Sequence, residues 1–137
     1  MKHGTVTVVT GGVPYEVTTF RTDGKYSDLR HPQSVCFVED IKADLARRDF
    51  TVNAIAYSPT RGMIDPFSGA EDIKNGIIRA VGNAHKRFSE DALRILRALR
   101  FASVLGFEIE PETARAAFEL REELTAVSRY EKVIEQV

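Results

Sequence analysis

The segment RRDFTVNA, residues 47–54, gathers two guanidinium groups, a carboxylate and a side-chain amide in eight residues. Side chains of these types suit a phosphorylated sugar. Arginine forks hold phosphate oxygens two at a time, an aspartate accepts from sugar hydroxyls, and an asparagine can do either. The plainer reading is a surface helix start with Asp49 as its N-cap. A second cluster lies in SEDALRILRALRF, residues 89–101. Ser89, Glu90 and Asp91 read as an acidic helix start, and the apolar residues that follow wrap nearly the whole wheel, which predicts a largely buried helix. Yet Arg94, Arg97 and Arg100 recur at every third position among Leu93, Leu96, Leu99 and Phe101. Buried arginine needs a partner.

Asp91 and Arg94 are three residues apart and so fall side by side on one helical face. One consequence is an internal ion pair that steadies the helix. Another follows from the edges of nucleobases. Cytosine and adenine each offer an exocyclic amino donor beside a ring-nitrogen acceptor, where uracil and guanine offer a carbonyl and a ring N–H. A carboxylate next to a guanidinium complements the first arrangement and opposes the second. Such a pair could accept C and A and reject U and G without a template.

The elements that would position these clusters can be read along the chain. Residues 4–20, GTVTVVTGGVPYEVTTF, alternate about Gly11-Gly12 and predict a tight antiparallel hairpin. Glu16 then points to the face opposite Tyr15 and Val17, held by a strand rather than a loop. Residues 21–34 are polar, broken by Gly24 and Pro32, and read as a loop, with a short strand at Val35 to Val38. From Asp44, apolar residues at Phe50, Ala54 and Tyr57 predict a short helix that stops at Ser58-Pro59. Brief strands are expected at Met63-Ile64 and at Ile77 to Val81, around a turn segment DPFSG at 65–69. Helices are expected from Ser89 to Leu105, from about Glu112 to Glu123 and from Ser128 onward, with Gly106 and Pro111 between the first two. Ser128 and Glu131 form a capping box for the last of these. That helix runs only to Val137, short for a terminal element, which suggests a chain that continues.

Composition bounds the function classes. The formal net charge of the 137 residues is −1, so the overall balance demands neither nucleic acid, membrane nor acidic partner. The distribution is less even: Lys42, Arg47, Arg48, Lys86, Arg87, Arg94, Arg97 and Arg100 make a basic centre beside an acidic flank from Glu108 to Glu123. A lone Cys36 excludes an internal disulfide, and there is no apolar run of the roughly 18 residues that a membrane span requires. No secretory signal opens the chain, so a reducing cytoplasm is the expected location. His3, His31 and His85 are too scattered for a paired metal motif.

In order, the segments YEVTTFR (15–21), YSDLRHP (26–32), DLARRDFTVNAIAY (44–57), DPFSGAEDI (65–73), IIRAVG (77–82) and EDALRILRALRFASVLGFEIEPET (90–113) closely resemble the bacterial class II tRNA nucleotidyltransferase and poly(A) polymerase family. The resemblance runs across nearly the whole chain. It implies an α+β fold: a partial nucleotidyltransferase head at residues 1–85, with an antiparallel-containing sheet and helices, followed at 86–137 by the start of an all-helical, RNA-binding neck. It implies that Arg48, Asp49 and Asn53, with Arg47 beside them, handle the ribose and triphosphate. It assigns Asp91 and Arg94, supported by Glu90, to the base of incoming CTP or ATP, in agreement with the base-edge argument. Glu16 matches a strand carboxylate near the family's metal site, a candidate third catalytic acid and Mg2+ ligand; a solvent-facing strand glutamate is the alternative.

The match fails in one respect. The family's Asp-x-Asp pair, which holds two magnesium ions, is absent: none of the aspartates here has another two positions on. It is expected before residue 1 or on a partner chain that adds a strand to this sheet. Without it the isolated chain is expected to be inactive. Near the end, Ser128-Arg129-Tyr130-Glu131 departs from the family's usual Glu-Arg pair, which puts any contact of that pair in doubt. The implied activity is template-independent addition of CMP and AMP to the 3′ end of tRNA. NAIAY and DPFSG look more like CCA-adding than poly(A)-adding members. The alternatives are a poly(A)-adding relative and a non-catalytic nucleotide- or RNA-binding remnant.

Overall fold

Two neighbouring glycines with φ of 58° and 78° close the first hairpin, since a two-residue turn that matches strand twist needs the left-handed region twice. Strand β1 (Thr5–Thr10) pairs antiparallel with β2 (Val13–Thr18), Glu16 facing Thr7 across the ladder. The computed structural model describes residues 5–23, 35–37 and 40–127. All residues of this hairpin are exposed on both faces. Strand β3 (Arg21–Asp23) occupies the start of the expected loop and pairs with β4 (Val35–Phe37), in agreement with the strand expected there. The helix expected from Ser128 lies outside the described residues.

Helix α1 (Ile41–Ala46) is capped by Asp40, whose carboxylate accepts from the Lys42 amide. The RRDFTVNAIAY segment does not continue it, which corrects the expectation of a helix to Tyr57 and of Asp49 as its N-cap. Instead Phe50 forms an isolated bridge with Ala80. The amide of Thr51 donates to Arg79 O and that of Val81 to Asp49 O, both at 2.9 Å. A 3-10 turn (Thr51–Asn53) and a second hairpin of β5 (Ala56–Ser58) and β6 (Gly62–Ile64) follow. The helical spacing misled because Tyr57 is exposed, while Phe50 and Ala54 bury completely by a long-range pairing that no local pattern reports.

DPFSG caps a helix that the sequence pattern did not announce. Both oxygens of Asp65 accept, from Gly69 N at 2.7 Å and Ala70 N at 2.9 Å, at the start of α2 (Gly69–Asn75). Strand β7 (Ile77–Ile78) is shorter than expected and pairs in parallel with β8 (Glu108–Ile109), from the far side of the expected boundary at residue 85. The expected helix from Ser89 is in fact two. Helix α3 (Ala84–Glu90) ends at Asp91, which is extended (φ −147°, ψ 103°), and α4 (Leu93–Leu105) begins after it. Nor is α4 buried all round: Leu93, Arg94, Ile95 and Ala98 are buried, while Leu99, Val104 and Leu105 are exposed.

Pro111 opens α5 (Pro111–Glu119), which a 3-10 stretch (Arg121–Ala126) follows where the helix was expected to run on. Buried Thr113 fastens α5 inward: its hydroxyl accepts from Ala80 N at 3.1 Å and donates to Glu110 at 2.9 Å. The largest core cluster draws Phe50 and Ile78 together with Phe88, Ile95, Ala98 and Ala116. The α+β expectation holds, with the strands in four two-stranded pieces among the described residues.

Gly69 sits against the 3-10 turn so closely that an added Cβ would lie 2.1 Å from Thr51 O and 3.0 Å from the Ile55 side chain. Gly69→Ala must therefore move α2 away from the turn that carries Asn53. The expected loss is about 1–3 kcal/mol, as for overpacking elsewhere. Urea unfolding of the two proteins measures it, and equal midpoints would show that helix and turn part freely.

Candidate functional site

Arg47 closes α1 as its C-cap residue, and Arg48 and Asp49 follow in a bend leading to the buried Phe50. Their placement rests on Asp44, a buried carboxylate on the last turn of α1. One of its oxygens accepts from the Arg21 amide at 3.0 Å and from Nε and Nη2 of Arg47, both at 3.2 Å. The other accepts from Arg48 Nη2 at 3.1 Å. Burial raises the Asp44 carboxyl, but the Arg21 amide and the guanidinium groups of Arg48 and Arg47 together outweigh it and leave the carboxyl below its ordinary value. One anion thus aims two cations.

Asp49 is held from two sides. Its Oδ1 accepts from the Phe50 amide at 2.8 Å and its Oδ2 from Arg97 Nε at 2.7 Å. Packing supports that pair: the Phe50 and Phe101 rings meet edge to face at 5.9 Å, and the Arg97 guanidinium stands 5.1 Å over the Phe101 ring. Arg97 comes from α4, 48 residues from its partner.

The break between α3 and α4 presents the remaining groups. Asp91 Oδ1 accepts from the Leu93 amide at 3.0 Å, so its carboxylate caps the start of α4. The Arg94 side chain, only 10% exposed, donates to Glu90 Oε2 and Arg87 O, both at 3.0 Å, and to Arg47 O at 3.3 Å. Arg87 joins this set by donating to the other Glu90 oxygen at 2.9 Å and to Ala46 O at 3.2 Å.

Arg47, Arg48, Asp49, Asn53, Asp91, Arg94 and Arg97 line one cleft of about 440 Å³. Six of the seven residues that the sequence reading assigned to a nucleotide meet here, although they lie in segments some 40 residues apart. Glu90 does not line it and acts on Arg94 from behind. Sequence reasoning did not assign Asp44, Arg87 or Arg97. Arg97 was visible as one of three arginines at every third position, but nothing local named Asp49 as its partner. Four arginines against two aspartates give the lining itself a formal charge of +2, with Asp44 and Glu90 paired to three of those arginines outside the lining, while Asp91 and Arg94 bring acceptor and donors to one wall. A second cleft, of about 480 Å³, lies between α3 and α5, where His85 and Arg115 are interleaved with Glu112 and Glu119.

Metal chemistry finds less support in the described part. Among the described residues, no group of three or more histidine, cysteine, aspartate or glutamate side chains could hold an ion. Glu16 is exposed on β2 and does not line the cleft. The described residues do not fit the two-metal site that the resemblance implies. No helix among them is long and apolar enough to cross a membrane.

Because the Asp44 carboxyl is lowered from an ordinary value of 3.8, the unfolded chain binds its proton first as pH falls. Its contribution is complete above that value and is lost as pH drops through the folded-state value. Asp44→Asn is expected to lower stability near neutral pH and to flatten the acid limb of stability against pH. Urea midpoints across the acid range test this; parallel acid limbs would mean that Asp44 carries no such linkage.

A family model described as "Poly A polymerase head domain" matches residues 1–79. The CCA-adding enzyme of Geobacillus stearothermophilus is 59% identical over 115 residues, which cover 84% of this chain and 28% of that protein. That of Leuconostoc mesenteroides is 50% identical over 128 residues, covering 93% and 32%. The crystal structure of the Bacillus stearothermophilus CCA-adding enzyme in complex with CTP superposes with a TM-score of 0.88 at 49% identity, covering 98% of this chain and 32% of that one. A CCA-adding enzyme in complex with ATP gives 0.63 at 40% identity, over 69% and 24%. The chain thus spans less than a third of the length of these relatives. With more than half of its residues matched by the model and the ordered motifs gathered about one cleft, the chain belongs to the poly(A) polymerase head-domain family.

Proposed function

We propose that the chain is the nucleotide-selecting part of a CCA-adding tRNA nucleotidyltransferase, which transfers CMP and AMP from CTP and ATP to the 3′ end of tRNA without a template. The observation that carries this reading is the convergence of Arg47, Arg48, Asp49, Asn53, Asp91 and Arg94 on one cationic cleft. In it Arg47 and Arg48, aimed by Asp44, take the phosphates, with Asn53 and Asp49 toward the sugar. Asp91 accepts the exocyclic amino group of cytosine or adenine, and Arg94 donates to the adjacent ring nitrogen. Uracil and guanine put a carbonyl against the carboxylate and an N–H against the guanidinium, and both contacts repel. Relatives named as CCA-adding enzymes, and solved relatives holding CTP or ATP, support the choice of substrate.

The division into a head at residues 1–85 and a neck at 86–137 belongs to the same proposal; the cleft draws on both parts. So does the cytoplasmic setting that a tRNA substrate carries. Magnesium enters only as a property of the complete enzyme, with Glu16 offered as an accessory carboxylate to an Asp-x-Asp pair from a further segment or a second chain. A second reading, a nucleotide- or RNA-binding remnant without chemistry, is favoured by the absence of any metal-holding group among the described residues. Incorporation of labelled CMP into tRNA lacking its CCA end separates the two: activity on addition of a chain that carries Asp-x-Asp supports the enzyme, and binding without incorporation supports the remnant.

Asp91→Ala removes the acceptor common to both accepted bases. CTP and ATP affinity should fall alike, by about tenfold, the scale of a hydrogen bond to a charged group, while UTP affinity rises as the carboxylate that opposes its carbonyl is removed. Calorimetric titration of the chain with each nucleotide measures this. Unchanged CTP and ATP affinity would remove Asp91 from base reading.

A further inference from the structure

Arg87 lies outside the cleft, yet it is joined to the residues that shape it. Its Nη2 donates to Glu90 Oε1 at 2.9 Å and its Nη1 to Ala46 O at 3.2 Å, while its own carbonyl accepts from Arg94 Nη1 at 3.0 Å. Its side chain is 13% exposed, so the charge is withdrawn from water and depends on these partners. Glu90 therefore divides its carboxylate, Oε1 to Arg87 and Oε2 to Arg94. As long as it does so, Arg94 is bound by only one oxygen of Glu90, and its other anchors, the carbonyls of Arg87 and Arg47, keep the guanidinium on the cleft wall.

Without Arg87, both oxygens of Glu90 are available to Arg94, and a carboxylate facing a guanidinium prefers the bidentate fork. Arg94 would then turn toward Glu90 and leave its register with Asp91. We propose that Arg87 is a positioning residue for base selection: by occupying one oxygen of Glu90 it sets the orientation of Arg94, and so the discrimination between amino-bearing and carbonyl-bearing bases. This rests on the base-reading assignment of Asp91 and Arg94.

The test compares the affinities of the chain for CTP, UTP and inorganic tripolyphosphate in the unaltered protein, Arg87→Ala, Arg87→Lys and Arg94→Ala. In Arg87→Ala the ratio of CTP to UTP affinity is expected to narrow by about fivefold, with tripolyphosphate affinity unchanged. Arg87→Lys keeps the charge and the stem but cannot fork, and should narrow the ratio by less. A merely structural role predicts equal losses for all three ligands. That result, or a ratio that does not move, overturns the proposal. Should Arg87→Ala fail to fold, Arg87→Lys decides, and an unaltered ratio in it overturns the proposal as well. If Arg94→Ala leaves the ratio intact, the base-reading assignment itself is wrong; if Arg94→Ala abolishes it and Arg87→Ala does not touch it, only the role of Arg87 falls.

Discussion

The Glu90 carboxylate lies between two guanidinium groups, Arg87 at 2.9 Å and Arg94 at 3.0 Å, and both reach beyond it to carbonyls at the end of α1, Ala46 O and Arg47 O. A helix C-terminus carries partial negative charge and unpaired carbonyls, so two cations there satisfy the backbone as well as the carboxylate. The arrangement binds the segment that ends α1 to the segment that joins α3 to α4. Since partly buried charges cannot be left without partners, none of the three side chains can move alone. The geometry of the cleft follows from this constraint, because Arg47 and Arg94 occupy its wall while their neighbours hold them from behind.

Packing makes the same connection in apolar terms. Phe50 follows directly on Asp49, is fully buried, and meets Phe101 of α4 edge to face; Arg97, four residues before Phe101, reaches back to Asp49. The core beneath mixes residues from both sides of position 85, and Thr113 of α5 takes the Ala80 amide in the opposing chain of the Phe50 bridge. A cleft built across two parts of a chain is rigid only if both parts share a core. Here they do.

Local signals in the sequence were legible where local chemistry decides. Gly11-Gly12 can close a hairpin without outside help, and Pro111 can open a helix by itself. The chemistry of RRDFTVNA and EDALR was legible for a similar reason, since residue type limits what a side chain can bind. What escaped was whatever a distant partner decides. Phe50 and Ala54 have helical spacing, yet the bridge to Ala80 holds Phe50 extended and a 3-10 turn, not an α-helix, leads on to Ala54. Helix α2 begins after a left-handed Ser68 and is capped by Asp65 from four residues upstream, so no cap residue stands at its border. Every residue from Ser89 to Leu96 tolerates a helix. The interruption at Asp91 becomes intelligible only with the Leu93 amide on its carboxylate and the anchors of Arg94 in view.

The most direct measurement is a crystal structure of this chain with CTP. The account predicts cytosine between Asp91 and Arg94, its amino group on the carboxylate, and the triphosphate along Arg47 and Arg48, with Glu90 still shared between Arg87 and Arg94. CTP seated in the cleft between α3 and α5 beside His85 and Arg115, or bound by its phosphates with the base turned away from Asp91, would contradict it.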